Sequence, residues 1–361
     1  MKLTPGTSEK SPEKEPHAVP SALQRWGMGN WQLWIGAVFS LGFLVLALRD
    51  VDLAQTANAL RRVNLPIFGA AVASYVLTIA VKAIRWRSLF AVRKTPPFGR
   101  ALSVLSIGVM VNAFLPARLG EVTRAYLMGE AEADSKVYAL GTVAVEKVTD
   151  LLFLLITLML LLSQMTMPEW LAGPARGTAL ALAVLVPCLV LLAWQRDFVL
   201  RIVERISRFV PSAWREWLVR QTRYGLDSLD VVRRPRLLIA LFGWSVIVWI
   251  LSALTNYLVF LALELVVPIW ASLLLLVVLQ IGTAVPSSPG RIGVFQYLVI
   301  LTLSIFAVDK NVALGYSVVL YLAIYMPMAL MGCYCLWREK ITWQKLDKAA
   351  DMLNDLRRRT R

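Results

Sequence analysis

Several stretches of this chain run for 18 residues or more with almost no charged side chain, and a helix of that length crosses a hydrocarbon core of about 30 Å. No other feature restricts the fold so tightly. In lipid every backbone N–H and C=O needs an internal partner, so a spanning segment is a helix or part of a closed barrel. The runs are continuously apolar rather than alternating, which argues against a barrel. The chain has 361 residues and is 58% hydrophobic. It is therefore expected to be an all-α polytopic membrane protein with about six to eight transmembrane helices.

Residues 1–30 are rich in Lys, Glu, Pro and Ser and lack an apolar period, which predicts a disordered cytoplasmic tail. They lack the apolar core of a cleaved signal peptide. A transmembrane domain is expected over 31–337, followed by a basic cytoplasmic tail over 338–361. Uninterrupted spans are expected at about 31–48, 67–84, 141–162, 179–194, 237–263 and 312–337. Lys82 lies near the end of the second and has to snorkel. Pro168 and Pro174 are expected to break the chain before the fourth. Arg85, Arg87, Arg93, Lys94 and Arg100 follow the second span with no acid among them, which marks a cytoplasmic loop. Residues 196–236 hold ten arginines against five acids. They are expected to form amphipathic helix on the cytoplasmic surface, anchored by Trp214 and Trp217. A formal charge of +15 fits such basic loops, and no nucleic-acid recognition module accompanies it.

Two apolar runs are interrupted. The first leads into Asn112-Ala113-Phe114-Leu115-Pro116-Ala117-Arg118-Leu119-Gly120-Glu121-Val122-Thr123-Arg124. If 101–116 crossed fully, the arginine-rich 196–236 segment would be placed outside, against the Lys/Arg bias. The conflict disappears if 101–128 enters from the cytoplasm, turns near Pro116 and returns as a re-entrant hairpin. The run 269–308, broken over Pro286 to Arg291, has the same shape and lies between two outer loops. Parity leaves it open as a second hairpin or as two full spans. Two broken segments of opposite sense suggest an inverted repeat.

Charge beside the first break carries the candidate chemistry. Arg118, Glu121 and Arg124 are spaced to share a helix face, and Glu146 and Asp150 share another. Ionisable groups at membrane depth cost about 2.5 to 3.5 kcal/mol each and are usually paired or functional. Pairing of Arg118 and Arg124 with Glu146 and Asp150 is expected. One role for the cluster is an interfacial set of salt bridges pinning the hairpin. The other is a polar site in which guanidinium groups take a lipid phosphate. At the second break, Pro289-Gly290 and Gly293 free backbone N–H groups that can face an anion. Arg291 adds a charge there and Gln296 a neutral donor and acceptor. The alternative is a plain interhelical turn.

The chain also excludes several chemistries. Its one histidine, His17, lies in the polar tail, so histidine-dependent membrane phosphatases and histidine metal centres are not expected. Cys188, Cys333 and Cys335 lie in apolar runs and lack a zinc spacing. No Walker A pattern is present, and no nucleophile–base pair can be assembled. The expectation is a non-enzyme without metal or cofactor. Asp50 and Asp52, in the first outer loop, are the kind of acids a membrane glycosyltransferase would use, although a solvated loop accounts for them.

The chain resembles the lysylphosphatidylglycerol synthase transmembrane region family, also called the flippase-like domain family. The resemblance rests on Val51-Asp52-Leu53, Ala83-Ile84-Arg85-Trp86, Leu115-Pro116-Ala117-Arg118-Leu119-Gly120-Glu121, Val145-Glu146-Lys147-Val148-Thr149-Asp150 and Pro286-Ser287-Ser288-Pro289-Gly290-Arg291-Ile292-Gly293-Val294-Phe295. It implies a multi-pass protein of a prokaryotic cytoplasmic membrane, with both termini cytoplasmic, that moves lipids between leaflets. The substrate lipid is expected to be anionic or phosphate-bearing. The aminoacyl transferase domain of bifunctional relatives is not expected in a chain that ends about 24 residues after its last span. The resemblance links relatives without that domain to glycolipid, polyprenyl-lipid or hopanoid pathways. Two alternatives follow: a non-catalytic membrane partner of lipid or glycan synthesis enzymes, and a membrane glycosyltransferase. The chain departs from the family in having Gln296 and Lys147, where Glu and Arg are common.

Overall fold

The computed structural model describes residues 30–49, 51–114, 119–131, 135–165, 169–207, 212–282 and 288–341. The described residues form helices and turns without a strand. The helices are α1 (Asn30–Leu48), α2 (Leu53–Arg61), α3 (Leu65–Leu89), α4 (Phe98–Phe114), α5 (Gly120–Ala131), α6 (Lys136–Leu162) and α7 (Glu169–Trp194). They continue as α8 (Arg196–Ile206), α9 (Ser212–Leu229), α10 (Pro235–Ala262), α11 (Ile269–Gly282), α12 (Val294–Ser304) and α13 (Lys310–Arg338). By length and composition, α3, α7, α10 and α13 can each cross a membrane.

Local signals set the long helices. Asn64 caps α3 through its side chain, which accepts from the Ile67 N–H, and a proline occupies the first turn. Ser135 and Asp309 cap α6 and α13 in the same way. Two expected boundaries are corrected. α3 does not stop at residue 84 but continues to Leu89, since no breaker precedes Pro96 and its charged residues find partners inside the protein. α7 begins at Glu169 and contains both Pro174 and Pro187. Each proline removes one backbone N–H, and α7 runs on through both.

The two interrupted runs are pairs of short helices. α4 and α5 have 17 and 12 residues, or about 26 and 18 Å of helix at 1.5 Å per residue. α11 and α12 have 14 and 11 residues, or about 21 and 17 Å. All fall short of the roughly 30 Å of a hydrocarbon core. In each pair the two helices pack against one another.

These pairs sit in equivalent places in two structural halves. In the first half α3 packs on α4, α4 on α5 and α5 on α6; in the second α10 packs on α11, α11 on α12 and α12 on α13. Contacts between halves are reciprocal, α4 meeting α13 and α11 meeting α6. α3 and α10 form the central and most extensive pair, and they are antiparallel. The Asn64 N–H, at the start of α3, donates to the Ala262 carbonyl at the end of α10 (2.8 Å). Ser74 donates to Leu251 O (3.1 Å) and Arg85 to Ser245 Oγ (3.2 Å). The halves are therefore related by inversion.

Aromatic packing repeats the relation. Tyr138 of α6 donates its hydroxyl to Leu89 O at the end of α3 and packs edge-on to Phe90 (5.6 Å). Tyr316 of α13 donates to Asn256 O near the end of α10 and stacks on Phe260 (4.4 Å). Both tyrosines are fully buried. These aromatics anchor two cores that draw on both halves, one around Trp86 and Tyr138 with Leu241 and Cys335, the other around Phe260 and Tyr316 with Ala71 and Ala113.

Candidate functional site

α3, α5 and α6 converge on a charged cluster in the interior. Arg85, with no solvent exposure, donates from Nη1 to Asp150 Oδ1 (2.6 Å) and from Nη2 to Glu146 Oε1 (3.0 Å). The other oxygen of Glu146 accepts from Arg124 Nη2 at 2.6 Å. Glu146 is itself buried and bridges two arginines from different helices. Lys147 pairs with Glu121 Oε1 at 3.2 Å. Lys82, one turn before Arg85, interacts electrostatically with Asp150 and Glu146. Among the described residues three basic side chains thus pair with three carboxylates, and Lys82 lies beside them.

Packing fixes these groups. The Arg124 guanidinium lies 4.2 Å over the Trp86 ring, a contact of about 0.5–2 kcal/mol. Trp86 is held in turn by its Nε1–H, which donates to Thr142 Oγ1 (3.1 Å). The aliphatic stem of Arg124 runs against Gly108, where a methyl group would overlap it. Gly120 sits against the Gly108 carbonyl and the Asn112 side chain, equally without room for a Cβ. The Gly120 N–H donates to Asn112 Oδ1 (2.6 Å), so Asn112 at the end of α4 caps the first free N–H of α5.

The cluster is not closed on itself. The Nε–H groups of Arg85 and Arg124 and Oε2 of Glu121 are buried without a hydrogen-bond partner among the described residues. Unmade hydrogen bonds of this kind cost about 1–3 kcal/mol each, and more for charged groups.

The expected pairing is met in part. Arg124 does meet Glu146, but Asp150 is held by Arg85, and Glu121 turns to Lys147. Pro116 and Arg118, with Leu115 and Ala117, lie outside the described residues. Arg85 was assigned to a cytoplasmic loop from its charge and Lys82 to a snorkelling position; both belong to the cluster. The overlooked signal is their i, i+3 spacing in a run with no breaker before Pro96.

The second break is differently built. Gly290 and Gly293 have φ of 76° and 88°, and Arg291, between them, has φ of 57°. A positive φ at a non-glycine residue is sparsely populated and costs of order 1–3 kcal/mol. The Gly290 carbonyl accepts from the Tyr321 hydroxyl (2.9 Å), and the Ser288 N–H donates to Ser40 Oγ (2.9 Å). The Gly293 N–H donates to Gln296 Oε1 (2.7 Å). Of the two readings of this break, one has these groups face an anion with Gln296 beside them and the other makes it a plain interhelical turn. Gln296 is instead buried and caps its own helix. Pro289 is exposed at the start of the turn. Arg291 reaches the other break, its Nη2 lying 3.5 Å from the Asn112 carbonyl. Tyr321 and Tyr325 stack behind it at 4.0 Å, with Phe295 edge-on to both.

Asp52 does not present a free carboxylate. Its Oδ1 accepts from Ala54 N and Gln55 N (2.8 and 3.3 Å), capping α2. Asp50 lies outside the described residues.

The model of the lysylphosphatidylglycerol synthase transmembrane region matches residues 33–332 of the chain. The chain belongs to this family. It is also 25% identical over 224 residues to a UPF0104 membrane protein of Methanocaldococcus jannaschii, an alignment covering 62% of this chain and 92% of that one. The matched family region takes in both helix breaks and every described member of the charged cluster.

Proposed function

We propose that this member of the family moves a phosphate-bearing lipid or glycolipid headgroup between leaflets of a cytoplasmic membrane, without ATP as the direct energy source. One observation carries the proposal. Two buried guanidinium groups, at Arg85 and Arg124, keep an Nε–H without a partner among the described residues, in a cluster whose described members are four basic side chains and three carboxylates. Guanidinium offers phosphate oxygens parallel hydrogen bonds along its Nε–Nη edge. An anionic headgroup would satisfy both the spare donors and the surplus charge. The short helix pairs, built in opposite senses, interrupt one apolar run in each half, and helices broken at membrane depth are tolerated where protein or a wet cavity covers them.

The test is headgroup movement in proteoliposomes carrying a fluorescent phosphatidylglycerol, read by quenching from outside. Arg124→Ala and Arg118→Ala are expected to abolish transfer. Lys82→Met removes a cation that makes no direct hydrogen bond or ion pair among the described residues, so it is expected to slow transfer while leaving thermal melting near wild type. Wild-type transfer by folded Arg124→Ala and Lys82→Met variants would overturn the proposal.

A further inference from the structure

The apolar face of α8 is covered along one side only. Val199 and Leu200 pack against the core around Trp86 and Tyr138. Beside them, Trp194 at the end of α7 is followed by Phe198, Ile202 and Ile206, which are each four residues apart and form one stripe of α8. These side chains are 71%, 52%, 40% and 64% exposed. Arg201 and Arg205, also exposed, flank the stripe. The expected anchors of this region, Trp214 and Trp217, lie on α9 and pack edge-on against each other (6.2 Å).

α8 is not a loose arm. At its first residue Arg196 forms an ion pair with Asp227 and donates to Asp230 Oδ2 (3.1 Å). Asp227 also takes Arg93 (3.1 Å), whose guanidinium stacks over Tyr138 and Tyr224. The helix is thereby fixed to the end of the first half with its apolar stripe exposed.

We infer that α8 lies in the membrane interface and docks on an anionic lipid leaflet, its Trp194–Ile206 stripe among the acyl chains and Arg201 and Arg205 on headgroup phosphates. Continuity decides the occupant. The stripe extends an exposed apolar surface that α7 carries through Leu180, Val184 and Leu191, and α7 is long and apolar enough to be a span. An amphipathic helix with arginines beside its apolar face has the composition of an interfacial anchor, and the arginines complement anionic headgroups. The inference does not depend on transport.

The experiment uses the full chain in liposomes, with Cys188→Ser, Cys333→Ser and Cys335→Ala, and a nitroxide on Ile202→Cys or on Asp197→Cys. The Ile202 label is expected to gain access to oxygen and lose access to an aqueous nickel complex, and the Asp197 label to do the reverse. Replacing part of a phosphatidylcholine bilayer by phosphatidylglycerol should deepen the Ile202 label. Arg201→Glu with Arg205→Glu should cancel that deepening. Equal nickel access at both positions would overturn the inference, as would an Ile202 label shielded from both reagents, which denotes a protein contact. A depth indifferent to phosphatidylglycerol would remove the anionic leaflet as the partner.

Discussion

Glu146 is the counterion of buried Arg124 and shares buried Arg85 with Asp150. Breaking a buried pair by removing one partner costs about 3–5 kcal/mol. Glu146→Gln is therefore expected to destabilise the protein by about that amount, measured by thermal or denaturant unfolding in detergent. Lys147→Arg, at a half-exposed pair with Glu121, should change stability by less than about 1 kcal/mol in the same assay. The Arg124–Glu146 pairing was legible in the sequence because charge next to an apolar run demands a partner. Arg85 was not. Lysine and arginine at the end of an apolar run normally mark the interface, and that rule fails where carboxylates on another helix receive them. The linear sequence holds no sign that residues 146 and 150 lie beside residue 85.

Among the elements, the turn of each short helix pair is the sensitive feature. α4 and α5 touch through Gly108 and Gly120, where neither position has room for a methyl group. Gly108→Ala and Gly120→Ala are each expected to cost about 1–3 kcal/mol by overpacking, and to displace Arg124, seen as a lowered melting temperature together with slower headgroup transfer. At the other turn Gln296 supplies the acceptor for the Gly293 N–H. Gln296→Leu should cost about 0.5–2 kcal/mol, the range for a lost helix cap, whereas Gln296→Glu keeps the acceptor and should melt closer to wild type. Proline and glycine disclosed where both runs break. They did not disclose that the second turn spends its backbone groups on Ser40, Tyr321 and Gln296, partners far apart in sequence or hidden by a presumed role. Pro174 misled in the opposite direction, since α7 runs through it.

At the scale of the whole molecule the antiparallel α3–α10 pair relates the two halves. Thr95, beyond the end of α3, and Glu264, beyond the end of α10, are both exposed. Thr95→Cys and Glu264→Cys should react with an impermeant thiol reagent from opposite sides of the membrane; labelling from one side would refute the inverted arrangement. The repeat is written faintly in the chain. Pro116-Ala117-Arg118-Leu119-Gly120 returns as Pro289-Gly290-Arg291-Ile292-Gly293, but little else survives, since apolar positions exchange freely while packing volume is kept. The halves have diverged most at their centres. α5 and α6 carry Glu121, Arg124, Glu146, Lys147 and Asp150, whereas the matching α12 and α13 present Phe295, Tyr321 and Tyr325. A scaffold of two identical inverted halves has no front or back and would offer the same barrier to a passenger from either leaflet. Here the ionic half and the aromatic half differ, and they touch where Asn112 serves Gly120 with its side chain and Arg291 with its carbonyl. Within the repeat, any directional preference has to originate in that inequality, so exchanging charged for aromatic residues between the halves is the change expected to reverse it.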